Sequence, residues 1–280
     1  MNLMHILDEV GQHDPEIYER LNPRRSVLKH FSGIGRRLSL TALPFALGAM
    51  FKKAYGQTST ATVLEILNYS LTAEYLEVEL YTKALASATL IPAGAEKASF
   101  QLILKNETGH RDFLISTITA LGGTPIPKPT FDLTGGNGSN AGPFSDVLTS
   151  YQTFLAVAQT FEQTGLRAYK GRAPELIGSP DILEAALRLH SVEARHVAHI
   201  AQLRASKGFA TVKPWFTGNN GGVPAAAQAS YNGEENTTQG TVNIVGINGQ
   251  PTIDTNAATE AFDEPLTKPQ VLAIIDPFIV

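Results

Sequence analysis

Between residue 61 and about residue 207, apolar positions recur every three or four residues, the period of a helix with one face turned inward. Leu64, Leu67, Leu71, Val78, Tyr81 and Leu85 form the first stripe, and Phe100, Ile103, Leu114 and Leu121 the second. Leu148, Leu155, Ala158 and Tyr169 form the third, and Ala186, Leu189, Ile200 and Leu203 the fourth. The spacing predicts helices over 61–89, 96–121, 145–171 and 180–207. Ile91-Pro92-Ala93-Gly94 and the Gly171–Pro180 stretch are short, so each joins antiparallel neighbours. Ser179-Pro180 is a start signal for the fourth helix. Residues 122–143 are long, rich in Gly, Pro and Asn, and without helical period. The expected fold class is therefore all-α, a four-helix bundle with one long crossover between its second and third helices.

Each stripe carries polar residues where a core residue is due. These are Glu74 in the first, Glu107-x-x-His110 in the second, Glu162 in the third and Glu193-x-x-His196 in the fourth. Residues three apart on a helix point the same way, so each Glu/His pair shares a face. Four carboxylates and two imidazoles then meet inside one bundle. Buried carboxylates without partners are costly, and two divalent cations would neutralise them. With 17 Glu and seven His in 280 residues, chance supplies about 0.4 Glu-x-x-His. Two of them, each in phase with its own stripe, exceed that. Glu74 to Glu107 is 33 residues and Glu162 to Glu193 is 31, so the two helical hairpins repeat one plan.

Composition narrows the chemistry. The chain has no cysteine, which removes thiolate ligands, iron–sulfur clusters, disulfides and cysteine nucleophiles. Its net charge is −4, against nucleic-acid binding. No Gly-rich phosphate loop with its lysine and no Ser/His/acid set stands out.

Residues 1–56 read as an export signal. Arg24-Arg25-x-x-Leu28-Lys29 is followed, after Arg36-Arg37, by an apolar run from Leu38 to Met50 and then small residues at Ala54-Tyr55-Gly56. The run is too short for a bilayer span of roughly 20 residues, so no stable membrane span is expected after its removal. The order resembles a twin-arginine signal, which implies a periplasmic or cell-envelope location. Three of the seven His fall there, and the remaining four lie on the second and fourth helices. Without residues 1–56 the net charge becomes −7.

After residue 207 the character changes again. Val242–Ile247 and Pro251–Ile253 flank Asn248-Gly249, the pattern of a β-hairpin with a tight turn. Residues 268–279 suggest a short final helix. The tail has too little apolar material for its own core and is expected to pack on the bundle. The domains are thus 1–56 signal, 57–210 bundle and 211–280 C-terminal extension.

The two Glu-x-x-His helices with their partner glutamates resemble the ferritin-like superfamily, whose di-iron and di-manganese members use this ligand set. Asn68–Glu77 and Ala261–Thr267 resemble segments of exported, desiccation-related ferritin-like proteins. The resemblance implies two divalent metal ions, Fe foremost and Mn second. Glu74, Glu107 and His110 would serve one, and Glu162, Glu193 and His196 the other, with Glu107 and Glu193 able to bridge. It implies a redox or stress-protective protein whose partners are Fe(II) and dioxygen or peroxide, of the ferroxidase type, and it allows a homodimer. A tail wrapped on the bundle would block assembly into a 24-subunit cage. Two alternatives remain open: a manganese catalase-like peroxide dismutase, and a metal-free structural protein on the same bundle.

Neighbouring residues compete for these roles. Glu77 is a rival to Glu74 or a residue supporting the site, whereas Glu79 points to solvent. His190 and His199 flank the fourth-helix pair and suit contacts between helices. Tyr75, Tyr81 and Tyr169 lie near the inner faces, where packing with a bonded hydroxyl is the commoner role. Asp112 either orients a ligand or faces water.

Overall fold

The computed structural model describes residues 58–280; the expected export signal lies outside them. Four long helices form the body: α1 (Thr60–Ala86), α2 (Ala95–Ala120), α3 (Tyr151–Arg172) and α4 (Pro180–Ser206). The α1–α2 and α3–α4 pairs pack most extensively, and α1 crosses α3 to join the two hairpins. No helix among the described residues is long and apolar enough to cross a membrane.

Two helix ends differ from the periodicity-based expectation, and serines account for both. Ser87 takes extended backbone, and its hydroxyl accepts from the Leu90 amide, so α1 stops at Ala86. Ser150 caps α3 by accepting from the Thr153 amide, while residues 145–150 turn about Asp146. Pro180 opens α4 with Ser179 at its cap position, though that hydroxyl makes no capping bond.

Apolar layers close the bundle above and below its middle. At one end Tyr81, Phe100 and Phe154 meet with ring centroids 5.1–6.2 Å apart. At the other, Ile66, Leu67, Leu114, Ile118 and Ile182 pack together. Burying each such side chain stabilises the fold by roughly 1.5–3 kcal/mol.

Residues 121–150 form the crossover and contain no α-helix. The buried Asp132 carboxylate organises them. It accepts from the Thr134 amide and hydroxyl and from the Gly138 and Asn140 amides. The C-terminus stitches down the same loop. Asp132 N donates to Phe278 O, Asn137 N to Pro277 O and Val280 N to Thr130 O.

Residues 208–280 lie on α3 and carry β1 (Thr238–Gln239), β2 (Val242–Asn243), α5 (Thr255–Glu260) and α6 (Lys268–Ile275). The hairpin is shifted from its expected place. β1 and β2 pair antiparallel around Gly240-Thr241, with Gly240 at φ 61°, whereas Asn248-Gly249 sits in a 3-10 turn. Val242 and Val245 are exposed, so their β-branched run has no core to bury and pairs only at Val242–Asn243. The final helix ends at Ile275, where Asp276–Phe278, with Pro277 inside it, forms a 3-10 turn.

Under this cover every residue of α3 from Phe154 to Tyr169 is buried. The Arg167 guanidinium donates to Ser230 O, Asn232 O and Glu264 O and pairs with Glu234 at 3.1 Å. Gln159 and Arg204 bind the backbone at Gly221, and Gln163 donates to Glu234. Gly171 lets the tail come closer than a side chain would allow, since a Cβ there would lie 1.9 Å from Leu266 O.

Candidate metal centre

The middle layer of the bundle is polar. α1 contributes Glu74, α2 Glu107 and His110, α3 Glu162, and α4 Glu193 and His196. The four glutamates are at most 1% exposed, and the two histidines are buried. The residues fall into two groups of four, Glu74/Glu107/His110/Glu193 and Glu107/Glu162/Glu193/His196, each with ligand atoms within 4.8 Å of one another. Glu107 and Glu193 belong to both. One to two turns of helix separate this layer from the apolar layers, so hydrocarbon flanks the cluster on both sides.

In each group one imidazole nitrogen faces three carboxylates. His110 Nδ1 lies 2.9 Å from Glu107 Oε2, 2.9 Å from Glu193 Oε1 and 3.6 Å from Glu74 Oε2. His196 Nδ1 lies 2.7 Å from Glu107 Oε1, 3.0 Å from Glu162 Oε2 and 3.6 Å from Glu193 Oε2. A ring nitrogen carries at most one proton and cannot satisfy three oxygens. Glu74 Oε2, Glu107 Oε1 and both Glu193 oxygens consequently have no hydrogen-bond partner. Orphaned buried carboxylate oxygens converging with an imidazole nitrogen fit a hard divalent cation, which would satisfy all of them together.

Titration reflects the same crowding. Burial, with the charges of Glu193 and Glu107, pushes the Glu74 carboxyl well above its ordinary range despite His110. Glu162 is raised to about 7, chiefly by burial and against the pull of His196. Burial lowers the basicity of His110, but Glu107, Glu193 and Glu74 overcome it and raise its pKa to about 12. His196 moves up for the same kind of reason, through Glu162, Glu107 and Glu193. Burial and Glu107 push Glu193 up, but the two nearby histidines outweigh them and hold it down. Without a cation the cluster keeps its negative charge in check by retaining protons.

Two tyrosines bind the outer carboxylates across the bundle. Tyr81 of α1 donates to Glu162 Oε1 of α3, and Tyr169 of α3 donates to Glu74 Oε1 of α1, both at 2.5 Å. Tyr81 is seven residues beyond Glu74 and Tyr169 seven beyond Glu162, so the exchange follows the internal repeat. Tyr75 is elsewhere, bonding Ile126 O. Asn106 faces His196 Nε2 at 3.2 Å. Its counterpart in the other half is Val192, so no repeat marks it in the sequence.

The remaining candidates lie outside the cluster or at its edge. His190 bonds Leu166 O, and His199 packs edge-on to Phe100. Asp112 is exposed and pairs with Arg111. Glu79 pairs with Lys83 and Lys128. Glu77 is buried with its Oε1 facing Gly165 of α3, and belongs to neither group.

A small apolar cleft of about 10 Å³, room for roughly one water-sized molecule, lies one to two turns below the cluster, lined by Ile66, Leu67, Phe113, Leu114 and Leu189, with Tyr169 in its wall. In comparison with known proteins, a family model described as a ferritin-like domain matches residues 62–206, just over half of the chain. No curated protein matches it.

Proposed function

The chain belongs to the ferritin-like domain family, and on that footing we propose that it is an exported dimetal-carboxylate protein reacting with dioxygen or peroxide in a redox or stress-protective role. The observation that carries the reading is the convergence, twice over, of one imidazole nitrogen with three carboxylates whose oxygens lack donors. Glu74 with His110 would hold one ion and Glu162 with His196 the other, and Glu107 and Glu193 would span both. Paired Fe or Mn ions, when bound, supply electrons for reduction of the oxidant.

The protein's own groups prepare that chemistry. Tyr81 and Tyr169 fix the outer carboxylates by donating to one oxygen of each, which leaves the other oxygen turned toward the histidines. Asn106 sets its side-chain amide nitrogen 3.2 Å from His196 Nε2 and so helps orient the imidazole with Nδ1 toward the carboxylates. The apolar layers exclude bulk water, and the cleft beside Tyr169 suits a small apolar oxidant such as dioxygen. The twin-arginine-like stretch supports a location outside the cytosol.

Metal content tests the reading. The mature protein loaded with Fe(II) or Mn(II) is expected to hold about two ions per chain, and fewer than about 0.2 would overturn it. Glu107→Ala with Glu193→Ala removes both shared carboxylates and should abolish uptake. Full uptake by that variant would put the site elsewhere. Oxygen evolution from peroxide by the Mn-loaded form alone would identify a catalase-like activity.

A further inference from the structure

The chain contains four Asn-Gly pairs, Asn137-Gly138, Asn220-Gly221, Asn232-Gly233 and Asn248-Gly249, and all four asparagines are exposed. An asparagine before glycine is chemically labile, because no Cβ shields the glycine nitrogen from the side-chain amide. Attack requires that nitrogen to give up its proton, so a hydrogen bond donated by the glycine N–H slows it. The fold supplies such a bond at every pair, but the acceptors differ. Gly138 N donates to the buried Asp132 carboxylate at 3.0 Å. Gly221 N and Gly249 N donate to the backbone, to Asn219 O at 3.1 Å and Gly246 O at 2.9 Å. Gly233 N depends on an exposed side chain, that of Glu235, whose Oε2 it meets at 2.9 Å. An exposed carboxylate exchanges readily with water and leaves the amide free. Gly233 also lies against the Arg167 guanidinium, where a Cβ would be 3.3 Å from Nη2, and a nearby cation favours loss of the amide proton.

We propose that Asn232-Gly233 is a site of spontaneous deamidation that loosens the C-terminal extension from α3. The Gly233 nitrogen, having given its proton to solvent, bonds to Asn232 Cγ, and the Cγ–Nδ2 bond breaks with release of ammonia. Water then opens the cyclic imide at either carbonyl and leaves aspartate or isoaspartate. The site sits where the extension is fastened. Asn232 O accepts from Arg167 Nη2 at 2.9 Å, and Glu234, two residues on, lies 3.1 Å from Arg167 Nε and accepts from Gln163. Isoaspartate inserts one atom into the main chain between these two points, whereas the planar guanidinium holds them at a fixed separation. The chain must shift, and Arg167, 1% exposed, has no water to replace the partners it loses. The metal centre takes no part in this chemistry.

The test is ageing of the folded protein in mildly alkaline buffer, followed by peptide mass mapping with isoaspartate scored separately. Asn232 should convert first among the four asparagines. Glu235→Ala removes the acceptor and should raise the rate at Asn232 about threefold or more, with the other three sites unchanged. A rise at all four would report unfolding of that variant, and Glu235→Gln, which keeps the shape and weakens the acceptor, then decides. Limited proteolysis within residues 208–280 should increase with age in the wild type and stay level in Asn232→Gln. Earlier conversion at Asn137, Asn220 or Asn248, or a folded Glu235 variant that leaves the Asn232 rate unchanged, would overturn the assignment of the site. Equal proteolysis of aged wild type and aged Asn232→Gln would overturn the loosening. Neither result bears on the dimetal reading.

Discussion

Tyr81→Phe isolates one hydroxyl. The ring keeps its packing against Phe100 at 5.9 Å and Phe154 at 6.2 Å, so only the bond to Glu162 is lost. A hydrogen bond to a charged acceptor contributes about 1.5–3 kcal/mol. Tyr81 and Glu162 are both wholly buried, so no water replaces the missing donor, and the cost should fall near the upper end, about 3 kcal/mol. Burial and the charge of Glu162 push the Tyr81 phenol well above its ordinary range, so it remains a donor at any working pH. Tyr169→Phe breaks the matching bond to Glu74, but Tyr169 is 7% exposed and walls the cleft. Glu74, held well above the ordinary carboxyl range, is a neutral acceptor in the metal-free protein, and the cost should be smaller, about 1–1.5 kcal/mol. Both carboxylates share Glu107 and Glu193 as neighbours, so the double variant should depart from additivity by about 0.5 kcal/mol or more. Urea denaturation of the metal-free protein measures all three, with an unchanged slope confirming that only stability moved. In a melting experiment 3 kcal/mol corresponds to about 6–12 °C for a body of this size. A Tyr81→Phe cost under about 0.5 kcal/mol, or a larger cost for Tyr169→Phe, would refute the argument.

Asp132→Ala removes the acceptor of four hydrogen bonds from the crossover, and should cost about 2–4 kcal/mol and open residues 133–143 to limited proteolysis. The metal-free protein should lose stability as pH rises from 4.5 to 7. Glu162 has its pKa raised to about 7, so the folded state binds the extra proton across that window and is favoured at its acid end. Melting temperatures over that range should fall for the wild type and fall less steeply in Glu162→Gln, where the raised Glu74 still contributes, and saturating Mn(II) should recover the loss.

Much of the bundle is legible because its signals are local and repeated. Helical period, a Pro at the start of α4 and two short connections mark the four helices with errors of a few residues, except where Ser87 and Ser150 turn the chain early. The six residues brought together stand out because charged side chains occupy core positions of amphipathic stripes, twice, at matching intervals. The Tyr81–Glu162 and Tyr169–Glu74 exchange was also encoded, as a seven-residue step in both halves. Asn106 and the Gly165 niche carry no such repeat. A single polar residue beside a ligand, or a glycine in a helix, has many explanations until the facing side chain is known.

The sequence by itself determined the helices, the long crossover and which residues face inward, because each follows from the period of one helix and the chemistry of side chains along it. Only the tertiary structure decided what covers α3. Its Gln159, Gln163, Thr164 and Arg167 look like a solvated face, yet residues 221–264 supply their hydrogen-bond partners from 62 or more positions away. The tertiary structure also placed Glu77 against Gly165 rather than against a base, and moved the hairpin from Asn248-Gly249 to Gly240-Thr241. In each case the deciding contact joins distant segments, and no local period or turn propensity records which surfaces will meet.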